Sequence, residues 1–180
     1  EERFEFLLKS FDAANKEYRK QVEDAPSRVT SRRIVALREP TPAYADAIAE
    51  LVDANRDSDL EMRALLWLVQ LSEVAGSSRS IRPDQTKASA RIMAVYSNRA
   101  EIAGVVSNVI YASPDPYATA LKLMESPHRE VRGRACLTAA DLVANKLLFE
   151  YRDDSDLLRE RAVELYQQVV DNYADIDDWR

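Results

Sequence analysis

Apolar residues recur along this chain at intervals of three and four, the spacing that lines one face of an α-helix. Phe4, Leu7, Leu8, Phe11, Tyr18 and Val22 set out a long first helix. Glu1 and Glu2 near its start, with Lys16, Arg19 and Lys20 further along, follow the order favoured by the helix dipole. Pro26, Pro40 and Pro42 bracket a loop-rich connector in which Ile34 to Arg38 form a short turn. Arg28, Arg32, Arg33 and Arg38 make that connector locally basic.

A second helix carries Tyr44, Ala47, Ile48, Leu51 and Val52 on one face. Ser58, followed by Glu61 three residues later, reads as a capping box opening a third helix. That helix bears Met62, Leu65, Leu66, Trp67, Leu68, Val69 and Leu71, apolar around most of its circumference, so the pattern places it centrally. Gly76 to Ser80 is a flexible loop. Pro83 begins a weaker helix with Ala88, Ile92, Val95 and Tyr96 inward. Ile102, Val105, Val106, Val109 and Ile110 mark the next. Asp115 and Pro116 form a cap and first-turn pair for a helix holding Tyr117, Leu121 and Met124, which Pro127 ends. Another runs to about Tyr151, where Asp153 to Asp156 break the chain. The last puts Leu158, Ala162, Leu165, Tyr166, Val169 and Tyr173 on one side.

The pattern thus predicts an all-α protein of eight helices with short breaks, which implies antiparallel neighbours. Pro42-Ala43-Tyr44-Ala45 with Glu61-Met62-Arg63-Ala64 is echoed by Pro116-Tyr117-Ala118 with Glu130-Val131-Arg132-Gly133. Two helix pairs written alike point to hairpins stacked as an α-solenoid-like array of the tetratricopeptide or HEAT kind, although neither consensus is met. The 180 residues are read as a single helical-repeat domain. Within it, 1–40 are the first helix and basic connector, 41–175 the hairpins, and 176–180 the start of a linker.

Composition narrows the function. Hydrophobic residues make up 46% of the chain, enough for a core, and glycine occurs only three times, leaving little material for a phosphate-cradling loop. A net charge of −6 argues against a general nucleic-acid binder, and aromatic interleaving for single strands is missing. No apolar run approaches the roughly 20 residues of a membrane span, and the first residues do not read as a signal peptide.

Candidate chemistry is sparse. His128 is the single histidine, directly after Pro127 at a helix start, and no second histidine is available to complete a zinc site. Cys136 is also alone, set among Ala135, Leu137, Ala139 and Ala140, where a small apolar side chain suits close helix packing. The Asp153–Asp156 cluster lacks the glycine and distal glutamate of a calcium loop, and helix capping explains it. Arg129, Arg132 and Arg134 read as a solvated face paired with Glu125 or Glu130. Tyr44, Trp67, Tyr96, Tyr111 and Tyr117 fit core positions with polar tips, or a concave aromatic groove. No catalytic, cofactor-binding or metal site is expected. The residues assigned to possible partner binding are Tyr117, His128, Arg129 and Arg132.

Tyr111-Ala112-Ser113-Pro114, the run Glu125-Ser126-Pro127-His128-Arg129-Glu130-Val131-Arg132-Gly133-Arg134-Ala135-Cys136-Leu137, and the segment from Ala162 to Asp175 together carry a resemblance. They resemble the helical N-terminal region ahead of the thioredoxin-like domain in bacterial redoxin proteins of the TlpA type. The likeness spans about Pro42 to Asp175 and is sharpest over 125–137. In such proteins the redox CxxC belongs to the following domain, so no catalytic residue carries over. The resemblance implies a non-catalytic accessory domain in the periplasm or cell envelope, docking a protein partner or an attached thioredoxin-like domain beyond Arg180. The alternatives are a stand-alone adaptor with no redox link and a helical small-ligand binder.

Overall fold

The computed structural model describes residues 1–27, 29–31, 33–34, 39–75, 82–149 and 155–176. All regular structure among them is helical. The described chain divides into two compact units, Glu1–Ser80 and Ile81–Arg180. Arg28, Arg32 and Arg38 of the basic connector, most of the expected 34–38 turn, the 76–80 loop, Asp153 and Asp154, and most of the 176–180 tail lie outside the described residues. Within the connector, 29–31 and 33–34 are helical where a loop was expected.

The first unit is built on α1 (Glu2–Glu23), α2 (Thr41–Ala54) and α3 (Asp59–Ala75). Phe4, Phe11 and Tyr18 are buried along α1 at a seven-residue spacing, which keeps one stripe inward over its whole length. Cross-helix pairs fix the directions. Arg3 near the start of α1 meets Glu50 near the end of α2 at 3.2 Å, and Phe11 meets Tyr44 near the start of α2 edge-to-face at 5.4 Å. The two helices are therefore antiparallel. Arg63 at the start of α3 reaches Glu1 at 2.9 Å and also Glu5, and lies 5.3 Å over the Phe4 ring. Phe11 meets Trp67 edge-to-face at 5.1 Å. These pairs make α3 parallel to α1 and antiparallel to α2.

The apolar circumference expected of α3 is seen in its burial within the first unit. Glu61, Met62, Ala64, Leu65, Leu68, Val69 and Leu71 are all buried. Leu66 and Trp67 are the exceptions among the apolar residues of that run, both half-buried, with Trp67 against Phe11. At the start of α3, Ser58 Oγ accepts from the Glu61 N–H at 3.1 Å, as the capping box requires. The Glu61 carboxylate reaches past the cap to the Asp57 N–H at 2.6 Å. Asp57 stands at φ 60°, and the buried carboxylate holds the amide of this left-handed residue.

The second unit holds α4 (Pro83–Arg91), a π-turn (Ile92–Tyr96), a 3₁₀ segment (Ala100–Val105), α5 (Val106–Ala112), α6 (Pro116–Leu123), α7 (Arg129–Phe149) and α8 (Ser155–Tyr173). The two helices expected over 83–96 and 102–110 are both present but wound unevenly. The first loosens into the π-turn and the second starts as the tighter 3₁₀ form. Most of the expected inward residues hold in both windings, since Ala88, Ile92, Tyr96, Ile102, Val105, Val106, Val109 and Ile110 are buried, but Val95, expected inward, turns outward within the π-turn and is exposed.

Asp115 caps α6 as its sequence position predicts, accepting from the Ala118 N–H at 3.0 Å. The buried residues of α6 are Ala120 and Leu123, whereas Leu121 faces solvent. Along α7, Val131, Gly133, Ala135, Cys136, Ala139, Ala140 and Val143 are buried, small residues that let α8 approach closely. Arg129 bonds the Asn172 carbonyl at 2.6 Å near the end of α8, and Cys136 Sγ lies 3.5 Å from the Leu165 carbonyl. These contacts run α7 and α8 antiparallel.

Candidate interaction surface

Two places in the second unit gather functional groups. The first is the corner where α6 ends and α7 begins. Pro127 stops α6, and His128 closes the first turn of α7, its carbonyl accepting from the Arg132 N–H at 3.1 Å. The His128 ring shares a hydrogen bond through Nε2 with the Asn98 carbonyl at 2.9 Å. Arg132 donates to the carbonyls of Ser126 at 2.8 Å and Pro127 at 2.9 Å, in the connector between α6 and α7.

Arg129 bonds Asn172 and Asp175 and stacks 5.6 Å over the Tyr173 ring. The guanidinium bond holds the Asp175 carboxyl below the usual carboxylate range, and the carboxylate in turn raises the arginine. Arg134 pairs with Glu130 at 3.2 Å across one helical turn.

Tyr117 stands apart from this group and is tied to α8, where Arg161 Nε donates to its hydroxyl at 3.3 Å. Three of the four residues assigned to partner binding, His128, Arg129 and Arg132, thus meet at one corner. Each spends its polar groups on joining elements of its own unit.

The second place was not legible from single residues. Helix α8 buries Ala162, Leu165 and Tyr173 against the unit, and leaves Val163 and Val170 each 61% exposed. Tyr166 lies between them at 37% exposure, at the edge of the buried face on which the sequence placed it. Val163, Tyr166 and Val170 are spaced i, i+3, i+7 and share one side of the helix. The Tyr166 hydroxyl donates to Asp141 Oδ1 of α7 at 2.7 Å.

Tyr111, at the end of α5, is 41% exposed and close enough for the Asp141 charge to act on it. The core position expected for Tyr111 is therefore corrected. The residue is partly exposed, within reach of the Asp141 charge. Burial first, then the Asp141 hydrogen bond and charge, push the Tyr166 phenol up to about 12. Burial and Asp141 raise Tyr111 in the same direction. A second apolar stripe at helical spacing was the available signal for this surface, one residue round the helix from the core stripe.

No protein-family model, curated protein or solved structure matches the chain. The geometry of these surfaces therefore carries the functional reading. Cys136 is fully buried, and desolvation raises its thiol above the usual value, with Arg161 opposing that shift. A thiol so placed is held protonated, unlike the exposed thiolate that redox chemistry requires. Among the described residues no group of three or more His, Cys, Asp or Glu side chains could hold a metal ion. No helix of the described chain is long and apolar enough to cross a membrane. In the first unit a cleft of about 310 Å³ is lined by Asp12, Asn15, Lys16 and Arg19, charges of both signs on successive turns of α1.

Proposed function

We propose that this chain is a non-catalytic helical-repeat domain that docks a protein partner through the exposed face of α8. The observation carrying the reading is the apolar stripe Val163, Tyr166 and Val170, exposed on α8 next to the buried stripe of Ala162, Leu165 and Tyr173. Tyrosine flanked by aliphatic side chains suits a protein interface, offering a large apolar body with a polar tip. The arginines and histidine of the α6–α7 corner support the reading by elimination, because they brace the scaffold and do not converge on a cavity.

The repeat character rests on the echoed helix pairs. Met62 and Val131, then Ala64 and Gly133, occupy matching buried positions in α3 and α7. An array of such hairpins, of the tetratricopeptide or HEAT kind, is the architecture we propose. The redoxin resemblance of 125–137 adds a specific candidate partner, an attached thioredoxin-like domain in the periplasm or cell envelope.

Two measurements test this. A photo-crosslinking side chain at Val163 or Val170, in the native protein in its source cells, should trap one discrete partner. The same group at exposed Lys122 should not. A diffuse adduct pattern at all three positions would remove the docking reading. Peptide mapping of the native protein past Arg180 decides the redoxin part, since a downstream CxxC is required there.

A further inference from the structure

The stripe on α8 does not stand alone, and its neighbours specify what it would take. Asp141 lies at the seam between α7 and α8, half-buried, and its hydrogen bond comes from a neutral phenol. Among the described residues no cation pairs with it. The nearby arginines of α8 are engaged elsewhere: Arg159 with Asp156 at 3.1 Å, and Arg161 with Glu164 at 3.0 Å and Tyr117. Helix α8 itself carries Asp156, Glu160, Glu164 and Asp171 against only Arg159 and Arg161. Among the described residues the surface around Asp141 is therefore short of positive charge.

Tyr166 bonds this carboxylate directly, and Tyr111, also partly exposed, stands on α5 within reach of its charge. A carboxylate bonded by one phenol, with a second phenol in its field, is chemistry suited to an organic cation, which can gain from aromatic faces as well as from the charge. A second anion would be repelled there. Val163 and Val170, on either side of Tyr166, offer aliphatic contact to the residues next to that cation.

We propose that Tyr111, Asp141 and Tyr166 form the seat for a lysine or arginine side chain of a partner polypeptide, whose apolar neighbours lie on Val163 and Val170. This rests on the docking reading above and gives the partner its chemistry. Recognition joins a charge-assisted bond to Asp141, cation–π contact with the tyrosines and apolar burial on α8. The cation also replaces water on a carboxylate that the fold holds in one orientation through the Tyr166 hydroxyl.

The test is an amide chemical-shift titration of the full chain with three blocked tripeptides, Leu-Lys-Leu, Leu-norleucine-Leu and Leu-Glu-Leu. The lysine peptide should shift the amides of Tyr111, Asp141, Val163, Tyr166 and Val170. It should bind about fivefold to tenfold more tightly than the norleucine peptide, the gain expected from one exposed cation–π contact and one ion pair. The glutamate peptide should bind weakest. Asp141→Asn should erase the preference for lysine while leaving norleucine binding in place.

Equal binding of the lysine and norleucine peptides would overturn the cation seat and leave an apolar docking face standing. No shift at this face with any peptide would also overturn it, and the crosslinking experiment then judges docking separately. Shifts of the same amides on simple dilution of the protein would show that a second copy occupies the face, which overturns the proposal as well. The wild-type comparison needs no variant, so a poorly folded Asp141→Asn protein does not weaken the test.

Discussion

Gly133→Ala sets two well-characterised effects against each other. Alanine in place of glycine inside a helix ordinarily gains about 1 kcal/mol. Here the new Cβ would lie 2.6 Å from Ile176 Cδ1, and 3.0 and 3.1 Å from Cγ and Cδ1 of Tyr173. The isoleucine tip can swing aside. The tyrosine ring cannot, because it is buried against α7 and covered by the Arg129 guanidinium. Overpacking of this kind costs about 1–3 kcal/mol. The balance is a net loss on the order of 1 kcal/mol.

Gly104→Ala is the internal control, since nothing lies within 4 Å of its added Cβ. It should be neutral or stabilise by roughly 0.4–1 kcal/mol. Urea unfolding followed by circular dichroism reads both, with hydrogen exchange at the end of α8 localising the effect of Gly133→Ala. If Gly133→Ala stabilises the protein as much as Gly104→Ala does, the close approach of α7 and α8 is wrong.

Three other predictions follow from burial and titration. Cys136 should resist thiol reagents in the folded protein and react only after unfolding, because its sulfur is fully buried with a raised pKa; rapid stoichiometric labelling of native protein contradicts the α7–α8 interface. Trp67→Ala should cost about 2–3 kcal/mol in urea unfolding, less than the 3–5 of a fully buried aromatic, because the indole is only half-buried although it meets Phe11 edge-to-face. A loss below about 1 kcal/mol would discard that contact as a stabilising one.

Tyr166 should titrate near 12 by tyrosinate absorbance, and Asp141→Asn should lower it. The sign follows from linkage: its folded pKa is raised above the unfolded value near 10. The stabilising contribution is thus complete below about pH 10 and lost as pH rises through about 12. Titration of all phenols together near 10 would remove the Asp141 bond.

The helices were readable in the sequence because each carries its own punctuation. Asp115 before Pro116, Ser58 before Glu61, and Pro127 after Met124 are local signals, and the chain obeys them within a turn. What the spacing could not reveal is how wide a face its neighbours cover. Tyr166 has the same phase as Ala162 and Leu165 to within one residue, yet it lies at the rim while they lie beneath α7. Tyr111, next to buried Ile110, likewise ends partly exposed, in the field of a charge on another helix.

The corner residues show a different limit. His128, Arg129 and Arg132 lie within five residues of one another, and their grouping was visible. Their partners, Asn98, Asn172, Asp175 and the Ser126 and Pro127 carbonyls, are set by tertiary geometry that one sequence does not display. Arg63 and Arg132, matched in the echoed helix pairs, do different work. One salt-bridges Glu1 and Glu5, and the other holds main-chain carbonyls.

The π-turn at Ile92–Tyr96 bears on how the chain tolerates changes of length. A π-turn takes up an additional residue within a helix, bonding five residues apart instead of four. Losing one residue there would let the segment close as ordinary α-helix. Tyr96 would then follow Ile92 by three positions and stay on the same face. The same loss in the middle of α7 would rotate every later side chain by about 100°, turning Ala139 and Ala140 away from α8. Insertions and deletions across descendants of this sequence should therefore gather at 92–96, while the length of α7 stays fixed.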